Sequence, residues 1–135
     1  MLRGSCLCTE VQYEINGTID GASHCHCSQC RKGHGAAFGS YGHVQSREFR
    51  FTHGAESVAS YRASPSATRT FCVHCGSTLQ WIPQGGDHFS IALGTLDDNP
   101  EIEIEQHIFV ASKAPWYEIT DTLPQFAAYP PSDPA

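Results

Sequence analysis

Between residues 24 and 32 the chain reads His24-Cys25-His26-Cys27-Ser28-Gln29-Cys30-Arg31-Lys32, which places three cysteines within six positions. Thiols at this density rarely serve packing alone. They bind a soft metal, form disulfides or carry out redox chemistry. The remaining four cysteines form two close pairs, Cys6 with Cys8 and Cys72 with Cys75. The function of these seven thiols is therefore the central question of the sequence.

Length and charge narrow the class of protein. The chain has 135 residues, the size of one domain, and a chain of this length can bury a core without cross-links. Its hydrophobic fraction of 40% is typical of a globular protein. The net charge is −6, and Arg31-Lys32 is the one adjacent basic pair. We therefore expect neither nucleic acid nor a membrane surface as a partner.

The expected compartment follows from what the sequence lacks. No apolar run approaches the roughly 18 residues that cross a bilayer. Residues 1–5 do not contain the apolar segment of a signal peptide. We therefore expect a cytoplasmic protein, in which thiols stay reduced. The odd number of cysteines also argues against a complete disulfide framework.

Short stretches of alternating apolar and polar residues, separated by turn signals, predict an all-β fold. Residues 8–15 are the first such stretch, and Asn16-Gly17 predicts a hairpin with residues 19–24 as its second strand. Further strands are expected at 38–44, 48–52, 57–62, 68–71, 79–82, 89–93, 101–105 and 107–110.

The segments between the strands predict little helix. Residues 33–37 indicate a flexible connection or short turn, and residues 114–117 a single helical turn. The overall prediction is a compact, multi-stranded antiparallel domain over residues 1–123. A Pro-rich tail, residues 124–135, is expected to follow it.

The two separated cysteine pairs predict a closed metal site. Cys-x-Cys and Cys-x-x-Cys sequences occupy tight turns whose backbone amides face the sulfurs. Two such turns brought together supply four thiolates, the ligand set of structural zinc. Cys6, Cys8, Cys72 and Cys75 are therefore predicted to bind a Zn²⁺ ion that stabilises the fold, because its binding free energy adds to the folding free energy. Gly76 suits the sharp exit from such a turn.

The central cluster predicts an open site. Cys25, Cys27 and Cys30 can present three thiolates, and the chain has no eighth cysteine. Three protein ligands and one exchangeable position are typical of catalytic zinc. The fourth ligand can be water, a histidine or a substrate thiol. Zinc would ionise such a thiol, whose free pKa is about 8.5, near neutral pH. The resulting prediction is two Zn²⁺ ions per chain.

Other uses of the same thiols stay open at this point. One metal with three unused cysteines is an alternative, and so is a redox dithiol at Cys72 and Cys75, although no βαβ pattern surrounds that pair. An iron–sulfur cluster is another, although the spacings match no common ferredoxin sequence. His26 and His34 are candidate fourth ligands or proton carriers.

Other residues near the cysteines are candidates for contacts with the substrate. Arg31 and Lys32 are candidates for attracting the carboxylate of an anionic thiol. Three aromatic residues are candidates for the walls of a pocket, although aromatic residues on strands usually belong to the core: Phe38, Tyr41 and Trp116.

The motifs of the chain resemble those of the glutathione-dependent formaldehyde-activating enzyme family, whose domain also occurs in centromere protein V. The resemblance covers nearly the whole chain. Its main motifs are Gly4-Ser5-Cys6-Leu7-Cys8, Cys25-His26-Cys27-Ser28-Gln29-Cys30-Arg31-Lys32 and Arg69-Thr70-Phe71-Cys72-Val73-His74-Cys75-Gly76. Later landmarks are Gly94-Thr95-Leu96-Asp97, His107, Trp116 and Leu123-Pro124. Thr9 stands where the family often has glycine.

The resemblance implies a β-rich fold with two zinc sites. The structural site it implies consists of Cys6, Cys8, Cys72 and Cys75. The active site it implies consists of Cys25, Cys27 and Cys30. The activity for which the family is named joins glutathione and formaldehyde to S-hydroxymethylglutathione and is classed as a carbon–sulfur lyase. This chain resembles the short members of the family and lacks extra segments of the formaldehyde enzyme.

We therefore expect a zinc-dependent carbon–sulfur lyase whose partners are a small thiol such as glutathione and an aldehyde. Cys25, Cys27 and Cys30 are the predicted catalytic centre. Two other hypotheses remain: a non-catalytic zinc module that binds a partner protein, and a lyase for a different thiol adduct.

Overall fold

The computed structural model describes residues 1–131, and within them it has ten β-strands and one α-helix. The strands are β1 (Leu2–Ser5), β2 (Gln12–Ile15), β3 (Asp20–Cys25), β4 (Gly39–Gln45), β5 (Phe49–His53), β6 (Val58–Ser64), β7 (Ala67–Cys72), β8 (Thr78–Pro83), β9 (His88–Ala92) and β10 (Gln106–Ile108). The helix, α1, spans Ser28–His34. None of the helical segments in this part of the chain combines the length and apolar character needed to cross a bilayer.

The strands form two sheets. The smaller has the order β1-β2-β5, and the larger has the order β10-β3-β4-β9-β8-β7-β6. Within residues 1–131, every strand pairing in these sheets is antiparallel except that of β10 with β3. The predicted all-β, predominantly antiparallel class is confirmed.

The main core contains side chains from both sheets. Tyr13 and Ile15 of β2 pack in one cluster with Val44 of β4 and with Phe89 and Ile91 of β9. All five are at least 96% buried. Burying a large apolar side chain contributes about 1.5–3 kcal/mol. The alternation in β2 therefore identifies the face that joins the two sheets.

The predicted hairpin between residues 8–15 and 19–24 is wrong. β2 pairs with β1 and β5, whereas β3 pairs with β4 and β10 in the other sheet. A two-residue hairpin turn of Asn16-Gly17 requires positive φ at both residues. Neither residue has positive φ, and the Asn16 amide instead donates to the Glu48 carbonyl at 2.7 Å. The chain crosses here from one sheet to the other.

Two more expected strands change for local reasons. Residues 8–11 are not part of β2, because the Cys6–Val11 turn occupies them and Thr9 adopts a φ of 66°. Residues 101–105 form no strand, and β10 begins at Gln106. Ile102 packs against the main core instead, so the alternation there reflects partial burial without a strand partner.

The connection expected at residues 33–37 is corrected at its start, because α1 extends to His34. Cys27 caps the helix through its sulfur, which accepts from the Cys30 amide at 3.3 Å. Gly35 ends the helix with a φ of 61°, a conformation that favours glycine. The helix was not predicted because a cysteine replaces the usual Ser, Thr, Asp or Asn cap.

The last described residues run beside β10. The His107 amide donates to the Pro124 carbonyl at 2.9 Å, and the Phe126 amide donates to the His107 carbonyl at 3.0 Å. The division into a domain at 1–123 and a tail at 124–135 stays a prediction. Residues 132–135 of that tail lie outside the described residues.

Candidate metal centre

The first cysteine cluster unites the two separated pairs. The sulfurs of Cys6, Cys8, Cys72 and Cys75 all lie within 4.8 Å of one another. The Cys6–Cys8 sulfur distance is 3.6 Å and the Cys8–Cys72 distance is 3.8 Å. A tetrahedron with Zn–S bonds of about 2.3 Å has edges of about 3.8 Å. The cluster can therefore hold a metal ion, and its spacing fits tetrahedral coordination by four sulfurs.

Each pair lies on a turn whose amides face its first sulfur. The Val11 amide donates to Cys6 Sγ at 3.3 Å, and the His74 amide donates to Cys72 Sγ at 3.4 Å. Hydrogen bonds of this kind stabilise sulfur in its anionic form. A hydrogen bond with the Ser77 hydroxyl lowers the pKa of Cys75 to about 5. Gly76 leaves the second turn with a φ of 78°.

The second cluster consists of Cys25, Cys27 and Cys30, whose sulfurs also lie within 4.8 Å of one another. Cys25 is the last residue of β3, Cys27 caps α1 and Cys30 lies in its first turn. Hydrogen bonds from the thiols of Cys25 and then Cys30 hold the pKa of Cys27 far below its ordinary value. The bond with Cys27 raises the pKa of Cys25. This sulfur-only donor set suits a soft cation.

All three of these cysteines line a cavity of about 430 Å³. This volume is within the range of sites that bind small molecules, about 300–1,000 Å³. The other walls are mixed. Aromatic and apolar surface comes from Tyr41, Trp81, Ile108, Phe109 and Tyr129, and polar surface comes from Ser23, Ser64, Ser90, Gln106 and Arg69.

The aromatic residues expected at the pocket divide into two groups. Tyr41 lines the cavity, as expected. Phe38 and Trp116 do not line it. The Phe38 ring instead packs against His24 and His26, with centroid distances of 4.1 and 5.1 Å. Trp116 is 71% exposed and borders a separate surface depression.

The cation that faces the cysteines is Arg69, which was not singled out from the sequence. Arg31 Nε donates to the Ser112 carbonyl at 3.1 Å, and neither Arg31 nor Lys32 lines the cavity. Arg69 is the one arginine or lysine within residues 1–131 that does. Its position three residues before Cys72, on the strand that leads into the cysteine turn, was the available signal.

Arg69 begins a chain of hydrogen bonds that leads away from the cluster. Its Nη2 donates to Cys30 Sγ at 3.5 Å, and its Nη1 donates to the Tyr41 hydroxyl at 3.2 Å. The same hydroxyl shares a hydrogen bond of 2.7 Å with His34 Nε2. Burial raises the pKa of Tyr41, while burial and then the charge of Arg69 lower the pKa of His34. His34 belongs to neither sulfur cluster.

His26 also lies outside both clusters, although it separates Cys25 from Cys27 in sequence. His26 Nε2 shares a hydrogen bond of 2.8 Å with His107 Nδ1. His107 Nε2 lies 2.9 Å from a carboxylate oxygen of Asp121. Burial, and then the charge of His107, lower the pKa of His26 to about 4. The His107–Asp121 contact was not predicted, and no local sequence pattern indicates it.

Comparisons with known proteins agree with this architecture. The sequence model of the glutathione-dependent formaldehyde-activating enzyme family matches residues 1–112. A relative from Schizosaccharomyces pombe, named an uncharacterized lyase, is 24% identical over 124 residues, or 91% of this chain and 88% of the relative. The crystal structure of a Rhodobacter sphaeroides protein is 23% identical and has a TM-score of 0.60. That match covers 73% of this chain and 91% of the other, and it shows a shared fold.

Proposed function

The chain belongs to the glutathione-dependent formaldehyde-activating enzyme family, and we propose that it is a carbon–sulfur lyase that makes and breaks thiol–aldehyde adducts. The observation that carries this proposal is the cavity lined by Cys25, Cys27 and Cys30. A cluster that served only to cross-link the fold would have no need of adjoining space for a small molecule. The lyase name of the relative from Schizosaccharomyces pombe supports the same class of reaction.

The proposed cofactors are two Zn²⁺ ions per chain. Cys6, Cys8, Cys72 and Cys75 would hold a structural ion, since their sulfurs supply a full tetrahedral set. Cys25, Cys27 and Cys30 would hold the second ion with one position left for a ligand. An ion held there supplies positive charge that lowers the pKa of a thiol entering the cavity.

The residues of the chain supply the surroundings for this chemistry. The walls of the cavity would hold the thiol and the aldehyde together, which favours attack of sulfur on the carbonyl carbon. Arg69 places a fixed positive charge within 3.5 Å of Cys30 Sγ. That charge favours the anionic sulfur that the reaction needs.

Metal analysis combined with NMR kinetics tests the proposal. The expected results are two zinc ions per wild-type chain and faster exchange between free formaldehyde and its glutathione adduct. Cys27→Ser should keep the fold, because serine is a good helix cap, while it loses one zinc ion and the activity. Cys72→Ser is the matched variant at the other cluster, and it should lose the fold as well. Acceleration of exchange with none of the cellular thiols would favour a zinc module that binds a partner protein.

A second candidate is a lyase for a thiol that carries fewer carboxylate groups than glutathione. The observation that favours it is the scarcity of cationic side chains around the cavity, where Arg69 is the one arginine or lysine within residues 1–131. Glutathione carries two carboxylates, and Arg69 already donates to Cys30 and Tyr41. Comparing exchange rates for glutathione, N-acetylcysteine and 2-mercaptoethanol discriminates the candidates. A preference for 2-mercaptoethanol would favour the second.

A further inference from the structure

We propose that Tyr41 is the residue that gives a proton to, and takes it from, the oxygen of the thiol–aldehyde adduct, and that His34 restores this proton from a separate surface depression. The inference rests on the proposed function, because it concerns the same cavity. It assigns an acid–base role to two residues that are not among the cysteines predicted to bind zinc.

The first support is the position of Tyr41. The residue lies in the middle of β4, is 8% exposed and packs with Cys25 and Cys30 in one cluster. It also lines the cavity. A phenol at this place is close to a small molecule held at the cysteines and is shielded from bulk water. Closeness to the reacting atoms is the first property that a general acid needs.

The second support is the direction of the hydrogen bonds. Arginine is a donor only, so the Tyr41 oxygen accepts from Arg69. The 2.7 Å bond with His34 Nε2 can then have either direction. When the Tyr41 hydroxyl donates to His34, its hydrogen is engaged. When His34 Nε2–H donates to Tyr41, the hydroxyl hydrogen is free to point at a bound substrate.

The third support is that Tyr41 and His34 line different depressions of the protein. His34 does not line the cavity. It lines a separate surface depression together with Gly33, Ala36 and Ser40. The pair therefore connects the cavity to a second surface, from which water can supply a proton.

The fourth support is Gly39, which allows the two rings to meet. A Cβ atom at residue 39 would lie 2.7 Å from two atoms of the His34 ring and 2.8 Å from Tyr41 Cε2. Both distances are too short for real contacts. The backbone φ at Gly39 is not positive, so space rather than conformation explains the glycine.

The proton balance of the step is closed. In the direction of addition, the substrate sulfur forms a bond to the aldehyde carbon, and the electron pair of the carbonyl π bond moves to oxygen. That oxygen takes the Tyr41 hydroxyl proton, and Tyr41 takes the Nε2 proton of His34. Water at the outer depression returns a proton to His34, and this proton balances the one that the substrate thiol released to water when its sulfur ionised. In the reverse direction the Tyr41 hydroxyl passes its proton to His34 Nε2, and the Tyr41 oxygen takes the adduct hydroxyl proton as the carbon–sulfur bond breaks. Water then takes up the proton from His34, and no oxidant or reductant is needed.

The test compares Tyr41→Phe, His34→Ala and the control His88→Ala in the zinc-loaded protein. His88 is an exposed histidine that does not line the cavity. Three quantities are measured for each variant: zinc content, affinity for 2-mercaptoethanol and glutathione by calorimetry, and the exchange rate at saturating thiol. Thiol affinity is a readout independent of turnover.

Tyr41→Phe should keep two zinc ions and the thiol affinity of the wild type while the saturated rate falls about 100-fold or more, the usual range for a lost general acid. His34→Ala should lower the rate less, and added imidazole should restore part of it. His88→Ala should match the wild type.

An unchanged rate in Tyr41→Phe would overturn the relay and leave the proposed function intact. Loss of zinc or of thiol affinity in Tyr41→Phe would indicate a structural role and also overturn it. If the wild-type protein accelerated exchange with no thiol, both the relay and the proposed lyase function would be refuted.

Discussion

His26 and His107 are joined by a hydrogen bond of 2.8 Å between two fully buried imidazoles, although 81 positions separate them in the chain. When His107 is neutral and its Nε2–H donates to the Asp121 carboxylate, His107 Nδ1 accepts from His26 Nε2–H. This series of bonds sets the tautomer of both rings. It also fixes the backbone between Cys25 and Cys27 to β10, where the His26 amide donates to the Ile108 carbonyl at 2.9 Å.

The first prediction concerns this pair. His107→Phe keeps a ring of similar size but leaves the buried Nε2 of His26 without a partner, which costs about 1–3 kcal/mol. The free energy of unfolding of the zinc-loaded protein, measured in urea, should fall by that amount. The zinc affinity of the second cluster (Cys25, Cys27 and Cys30) should fall as well, because the loop that carries Cys25 and Cys27 is less firmly held. His88→Phe is the matched control, and equal losses in both variants would contradict the prediction.

The contrast between these contacts and the cysteine clusters shows which features a sequence can predict. The structure groups the cysteines as expected, and metal binding by them stays a prediction. Cys25, Cys27 and Cys30 are close in sequence, whereas the two pairs of the other cluster were joined because one tetrahedral site needs four thiolates. The strands were found because burial of one face produces alternation, as at Tyr13 and Ile15. Neither argument predicts which other distant side chains meet in the fold.

The features that the sequence did not predict depend on contacts between segments that are distant in the chain. Arg69, Tyr41 and His34 become one chain of hydrogen bonds only when β7, β4 and the end of α1 are packed together. The hairpin at residues 16–17 failed for a related reason. β2 pairs with β5 rather than with β3, and the Tyr13 ring packs against Phe49, so the partner of β2 comes from a segment beyond the turn.

The second prediction concerns Thr9, which lies in the turn between Cys8 and β2 with a φ of 66°. A non-glycine residue in this conformation costs about 1–2 kcal/mol, part of which glycine returns as greater entropy of the unfolded chain. Thr9→Gly should therefore stabilise the zinc-loaded protein by about 0.5–1 kcal/mol. Thr9→Ala keeps the Cβ atom and should show much less gain. Urea unfolding checks both variants, and destabilisation by glycine would refute the strain.

The third prediction concerns removal of metal. The second cluster offers three sulfurs beside a cavity, whereas the first cluster offers four sulfurs held by two turns. A chelator should therefore remove one zinc equivalent first, with little change in the β-sheet circular dichroism signal. Removal of the second should unfold the protein, because metal binding there contributes to folding. A colorimetric zinc indicator read together with circular dichroism checks the order. Simultaneous loss of zinc and structure would contradict it.

The fourth prediction concerns the charge at the cavity. Arg69→Met removes the positive charge that faces Cys30 while keeping a long apolar stem at a half-buried position. Affinity for a thiol that carries a carboxylate should fall about tenfold, in keeping with the loss of a charge-assisted hydrogen bond. Affinity for uncharged 2-mercaptoethanol should fall less.

Arg31→Met is the matched control for this change, because Arg31 is close in sequence to the cysteines but does not line the cavity. It should leave the affinity for both thiols unchanged. Calorimetry with N-acetylcysteine and 2-mercaptoethanol gives the two affinities directly. If Arg31→Met weakened the binding of N-acetylcysteine more than Arg69→Met did, the carboxylate would be recognised outside the cavity. In that case the selectivity among thiols would have to be assigned to the outer surface of α1, where the Arg31 side chain meets the Ser112 carbonyl.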